Sequence, residues 1–165
     1  MSDMQQLTKV IQAAYREIGM KTPLPVDCGP LCGCACCHGD AETGMYVFPG
    51  ERVLLERALC FSFPHGAEPF VVCSGSCRRS RRPLSCRIFP FMPILENDQL
   101  YIVTDPRGRL LCPLLRQEAR PYYDPEFIPS LYRAFSQFLL YPELRKSIER
   151  LTQVRATYVR FLGEP

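Results

Sequence analysis

Ten of the 165 residues are cysteine, and most of them sit in two short runs studded with glycine and proline. The first run carries Cys28, Cys32, Cys34, Cys36 and Cys37 inside a segment, residues 21–50, that also holds Pro23, Pro25, Gly29, Pro30, Gly33, Gly39 and Gly44. Proline removes a backbone donor and glycine favours turns, so the pattern predicts an irregular loop rather than a helix or a central strand. The second group is Cys73, Cys77, Cys86 and, after a longer excursion, Cys112 followed by Pro113. Loops of this kind turn sharply and let backbone N–H groups approach a sulfur closely. What such thiols do depends on the redox compartment. Residues 1–20 mix acid and polar side chains with short apolar stretches, with no continuous apolar core of a secretory signal. No stretch approaches the roughly 18 apolar residues of a membrane span. The expectation is a cytoplasmic chain with no membrane partner, whose thiols stay reduced and act as metal ligands or redox groups rather than as a disulfide scaffold.

A chain of this length has room for one hydrophobic core and does not need its cysteines merely to stay folded. Hydrophobic residues make up 47% and charged residues 22%, which excludes a disordered polyampholyte, and a formal charge of +3 is too small to point to a polyanion partner. Leu7, Val10, Ile11, Ala14, Tyr15 and Ile18 recur at helical spacing, with Ser2 and Gln5 as a capping box and Gly19 as the stop. A short helix is expected from Pro49 or Gly50 to about Leu59. Residues 69–112 read as β structure around loops, with a hairpin formed by Ile94-Leu95, the polar turn Glu96-Asn97-Asp98, and Leu100 to Val103. Asp124-Pro125 predicts the start of a helix whose stripe is Phe127, Ile128, Leu131, Tyr132, Phe135, Phe138 and Leu139. Pro142 interrupts, and Leu144, Ile148, Leu151, Val154, Tyr158 and Phe161 form a second stripe. Both stripes are read as core faces. The fold class expected is therefore α+β: a small single domain, residues 1–165, whose terminal helices (the C-terminal pair at about 124–162) brace an irregular cysteine-rich middle at about 27–115 with a β-hairpin.

Adjacent Cys36 and Cys37 constrain any metal geometry. Neighbouring side chains point apart in both strand and helix, so two such thiolates do not readily ligate one tetrahedral ion. They suit two sites back to back, or one ligand and one bystander, and eight thiolates satisfy two four-coordinate centres. The run C-x3-C-x3-CC, the later C-x3-C, the string Arg82-Pro83-Leu84-Ser85-Cys86-Arg87-Ile88-Phe89-Pro90, and Cys112-Pro113 resemble the YkgJ-like CxxCxxCC proteins, described as a zinc- or iron-chelating domain. Gly44 to Glu51, Gly-Met-Tyr-Val-Phe-Pro-Gly-Glu, also resembles the segment between that family's cysteine groups. The resemblance spans roughly residues 27–115 and implies eight metal ligands: Cys28, Cys32, Cys36, Cys37, Cys73, Cys77, Cys86 and Cys112. The implied cofactor is an iron–sulfur cluster or a zinc ion. Cysteine pairs spaced by three residues rather than two, and the Cys-Pro ending, tilt the expectation toward iron.

Cys34 and Cys60 have no counterpart in that pattern. Cys34 is a spare ligand or a bystander, and Cys60, followed by Phe61 in an apolar stretch, reads as a buried inert thiol. Arg78, Arg79, Arg81, Arg82 and Arg87 flank the second group, where cations would offset the net negative charge of thiolate-bound metal. No aromatics interleave them as a nucleic-acid platform would require, so nucleic acid is not the expected partner. His38 follows the cysteine pair as a candidate ligand, and His65 in Pro-His-Gly reads as a turn residue. No P-loop, dinucleotide fingerprint, HExxH or nucleophile elbow is present, and no catalytic residue is assigned. The expected function is metal binding in a redox, assembly or structural role. The alternatives are a metal-dependent enzyme, since some relatives in the broader family resemble flagellin lysine N-methylases, and a zinc-stapled nucleic-acid or protein interaction module.

Overall fold

The computed structural model describes residues 3–37, 44–64, 69–75 and 77–162. Helix α1 (Asp3–Ile18) buries Leu7, Ile11, Ala14 and Ile18 on one face, as the spacing predicts. Gly19 ends it in the left-handed region, φ +58°, where its N–H donates to the Tyr15 carbonyl at 2.9 Å. Ser2, one half of the expected capping box, lies outside the described residues.

The cysteine-rich middle contains more regular structure than its glycines and prolines suggest. A one-turn helix, α2 (Gly29–Cys32), forms with Pro30 in its first turn, where the missing N–H is not needed. A 3-10 turn follows over Ala35–Cys37. Strand β1 (Met45–Tyr46) comes next. The helix expected from Pro49 to Leu59 shrinks to the single turn α3 (Arg52–Leu55). Strands β2 (Phe61–Ser62) and β3 (Phe70–Cys73) complete a three-stranded antiparallel sheet in the order β1-β3-β2, with Met45 opposite Val71 and Phe61 opposite Cys73. Val47, Leu55 and Val71 form a small core beneath it.

Helix α4 (Leu84–Ile88), not anticipated from sequence, carries Cys86 and Arg87. The expected hairpin is present and longer than read. β4 (Phe91–Glu96) pairs with β5 (Gln99–Thr104), and Asn97 and Asp98 take positive φ in the two-residue turn that suits strand twist. Helix α5 (Phe127–Ser136) starts three residues beyond Asp124. Asp124 still helps to shape the start, because its carboxylate accepts from the Glu126 N–H at 2.9 Å and its carbonyl from Phe127 N–H. A 3-10 turn over Gln137–Leu140 makes the break, and Pro142 opens α6 (Pro142–Phe161) rather than interrupting a helix.

One main core gathers α1, α4, the β4–β5 hairpin, α5 and α6, with Phe48, Phe127, Phe135 and Phe138 at 0–1% exposure. Phe48 packs edge-on to Phe138 with ring centres 5.2 Å apart. The mixed α+β class and single small domain are as expected. The first aromatic stripe is core along its buried positions, but the second leaves the core after Leu151: Tyr158 and Phe161 are exposed. No described helix is long and apolar enough to cross a membrane.

Candidate metal centre

All ten cysteines are free thiols. The three-residue spacing from Cys28 to Cys32 becomes an i, i+4 pair across α2, with Cys28 as its N-cap, so both thiols share one helical face. The Cys32 S–H donates to the carbonyls of Cys28 and Gly29. Gly33 turns the chain at φ +60°, Cys34 follows at φ +57°, and the 3-10 turn then presents Cys36 and Cys37. Cys34 folds back over its own turn: a Cβ added at Gly29 would meet Cys34 Sγ at 2.9 Å. Cys73 ends β3, Cys77 follows the Gly75 turn, Cys86 rides on α4, and Cys112, whose N–H donates to Gly108 at 2.7 Å, precedes Pro113.

These segments sort the eight motif cysteines into two neighbourhoods. Cys36 is in contact with Cys37 and feels the charges of Cys28 and Cys32; Cys112 also feels Cys28 and Cys32. Cys86 feels Cys77, Cys37 and Cys73, and Cys77 touches Cys73. Electrostatic influence thus links Cys28, Cys32, Cys36 and Cys112, and links Cys37, Cys73, Cys77 and Cys86, with Cys36 and Cys37 in contact between the two sets. As they stand, no group of three or more His, Cys, Asp or Glu side chains among the described residues is arranged to hold a metal ion. The donor type would suit a soft metal.

Burial and neighbouring thiols favour the protonated form of Cys28, Cys36, Cys77, Cys86 and Cys112. Burial pushes Cys28 and Cys112 up, and burial with Cys73 beside it raises Cys77 to about 11, against the pull of Arg82. Contact with Cys37 raises Cys36, and burial raises Cys86 well above the ordinary thiol range. One arginine attends each quartet. Arg79 feels Cys28 and bonds Asp27 and the Lys21 carbonyl, while Arg82 hydrogen-bonds Cys77, its buried Nε having no partner among the described residues. Charge compensation is the role these two positions suit. Arg78 and Arg81 are exposed.

Arg87 does something else. It is buried, stacks over the Tyr15 ring at 4.4 Å, and donates to the carbonyls of Gly19, Ser80 and Arg82 at 2.6–3.0 Å. Beside it lies Glu51, fully buried, accepting from Tyr15 Oη at 2.6 Å, Leu84 N–H at 2.6 Å and Phe48 N–H at 2.9 Å. This network pins the start of α4, and so Cys86, to α1. Sequence reasoning missed it. The signal was a lone acid after an apolar run in Val47-Phe48-Pro49-Gly50-Glu51 and an arginine between Cys86 and Ile88.

Cys60 is corrected. It is half-buried rather than buried, touches Cys73, and its carbonyl accepts from Ser74 N–H across the β2–β3 pair. Strand pairing brings it there, which an isolated apolar stretch could not reveal. His38 and His65 lie outside the described residues. A cavity of about 730 Å³ opens against the second quartet, with Cys36, Cys37, Cys73, Cys77 and Cys86 in its wall. No family model, curated protein or solved structure matches this chain.

Proposed function

We propose that the protein binds metal through eight thiolates in two adjoining centres. Cys28, Cys32, Cys36 and Cys112 serve one; Cys37, Cys73, Cys77 and Cys86 serve the other. What supports this reading is that the vicinal pair neighbours both sets: Cys36 feels Cys28 and Cys32, while Cys37 bears on Cys86 together with Cys73 and Cys77. Four segments distant in sequence supply the donors, and a core does not need that convergence. The resemblance of residues 27–115 to the YkgJ-like zinc- or iron-chelating family supports the same ligand set. Each four-thiolate centre holding a divalent ion would carry excess negative charge, which Arg79 and Arg82 are placed to offset.

Iron, as iron–sulfur clusters, is the metal this reading favours, since all-thiolate sets suit clusters and the paired cysteines are spaced by three rather than the two residues common in zinc knuckles. Bound there, a cluster would supply one-electron chemistry; zinc would supply structural order alone. The role is redox, assembly or structural, in a cytoplasmic setting that keeps thiols reduced. Anaerobic purification from iron-replete cells without added zinc, followed by elemental analysis and Mössbauer spectroscopy, tests it. Iron with inorganic sulfide is expected. Full zinc occupancy without iron overturns the assignment of iron, and protein free of any metal overturns the function.

A further inference from the structure

The cavity beside the second quartet is mostly apolar, with Met45, Phe61, Phe70, Phe89 and Phe161 among its walls. Its volume of about 730 Å³ falls in the range that holds drug-sized organic ligands. Its charged lining is of one sign: Arg82, Arg107 and Arg109 line it, and no carboxylate does among the described residues. Arg107 is held by Asp105, which is buried and accepts from both its Nε and Nη2. Arg82 hydrogen-bonds Cys77, and its side chain forms part of the wall. Guanidinium groups set in an otherwise apolar wall favour an anionic group on whatever fills it. At the mouth, Leu110 at 95% and Phe161 at 86% exposure leave large apolar surfaces uncovered.

We infer that this cavity binds a small amphipathic acid, its carboxylate on the arginines and its hydrocarbon or aromatic body against the phenylalanines. A neutral apolar molecule would set hydrocarbon against the arginine side chains of the wall, and a polyanion would have too little cationic wall to meet it. Such a ligand would lie with Cys36, Cys37, Cys73, Cys77 and Cys86 in the same wall. The inference rests on the metal reading only for what the ligand would meet there, not for binding itself.

The test uses the protein as isolated, with its metal content measured on every sample. The fluorescent sulfonate 1-anilinonaphthalene-8-sulfonate is titrated to stoichiometry and then displaced with decanoate or decanol. One saturable site is expected, with decanoate displacing the probe at least ten times more effectively than decanol. Arg82→Gln is expected to remove that preference. Because Arg82 touches Cys77, Phe161→Glu serves as a second variant: it sets a negative charge at an exposed edge and should weaken decanoate at least tenfold while sparing decanol. Equal displacement by acid and alcohol, or a decanoate affinity that neither variant changes, overturns the inference. A dimer by sedimentation that excludes the probe also overturns it, assigning the apolar mouth to a second copy. Metal-loaded protein that fails to bind decanoate sinks this inference alone, and metal-free protein that binds it sinks only the metal reading.

Discussion

Removing the Glu51 carboxylate should cost the protein about 3–4 kcal/mol. Glu51 is fully buried and accepts three hydrogen bonds, two from backbone N–H groups of Phe48 and Leu84 that have no route to solvent through it. Glu51→Ala strands both donors and the Tyr15 hydroxyl. Each stranded buried donor costs about 1–3 kcal/mol, partly relieved by water entering the space left behind. Glu51→Gln keeps the shape but turns an NH2 toward one of the two N–H groups, so about 1–3 kcal/mol is expected. Tyr15→Phe removes one bond while Leu84 N–H still serves the same oxygen, and about 1 kcal/mol is expected. Urea unfolding followed by far-UV circular dichroism, at fixed metal content, reads these values. With a slope of about 2 kcal/mol/M, Glu51→Ala should lower the midpoint by about 1.5–2 M. In the double variant, Tyr15→Phe should cost nothing further, because its acceptor is gone. Additive single costs, or Glu51→Ala within 0.5 kcal/mol of the parent, would refute the reasoning.

The same carboxyl gives a pH test. Burial pushes Glu51 above the ordinary carboxylate range, more than Tyr15, the two N–H groups and Arg87 pull it down. The folded state thus holds the proton more tightly than the unfolded state. Its contribution is largest below the unfolded value of about 4.3, and falls as pH rises from there through the raised folded value. The parent should therefore lose stability relative to Glu51→Gln as pH rises across that window, and a difference that stays flat would show that Glu51 is not shifted.

Three further outcomes concern the thiols. Since burial and neighbouring thiols raise Cys28, Cys77, Cys86 and Cys112, metal must displace protons, so uptake should strengthen as pH rises; calorimetry in buffers of different ionisation enthalpy should report proton release, and pH-independent binding would contradict it. Chelation should raise hydrogen exchange over residues 28–37 and 77–88 while α5 and α6 keep their protection, and equal protection in both states would show that packing alone orders the turns. Cys60→Ser should leave metal content unchanged while Cys73→Ser lowers it, and the reverse result would exchange their roles.

The helices and the hairpin were legible because their signals are local. The apolar spacing of Leu7, Ile11, Ala14 and Ile18 and the two-residue turn at Asn97-Asp98 depend on neighbours within a few residues. α2 and α4 escaped notice because one helical turn is too short to show a period, and Pro30 and Pro83 read as breakers where they stand at helix starts. Tyr158 and Phe161 continue a helical stripe, and nothing in a stripe tells where the opposing layer ends. Candidate ligands were legible by type. Which thiols neighbour one another was not, since that follows from strand pairing, which carries Cys60 to Cys73, and from Glu51 tying α4 to α1. Contacts between distant segments leave no periodic trace.

The two proposed centres differ in what holds their thiols, and the proposal therefore predicts the order in which metal would leave. In the second, Cys73 ends a paired strand and Cys86 sits on α4, whose first N–H is fixed by buried Glu51 and whose Arg87 is bonded to three carbonyls. Little ordering remains for the metal to do there. In the first, Cys28, Cys32 and Cys36 rest on a one-turn helix and a 3-10 turn with two consecutive positive-φ residues, Gly33 and Cys34, and little apolar surface to hold them. A metal bound there would itself have to supply the ordering free energy, and its net affinity would be reduced by that amount. Chelator should therefore strip the protein in two steps, the first centre emptying before the second. Cys36→Ser should retain about half the metal and lose the early step. Cys86→Ser should lose the late step and, by freeing α4, weaken the early one as well. Release in a single step, with both variants losing all metal, would mean that the vicinal pair joins the eight thiolates into one shared centre.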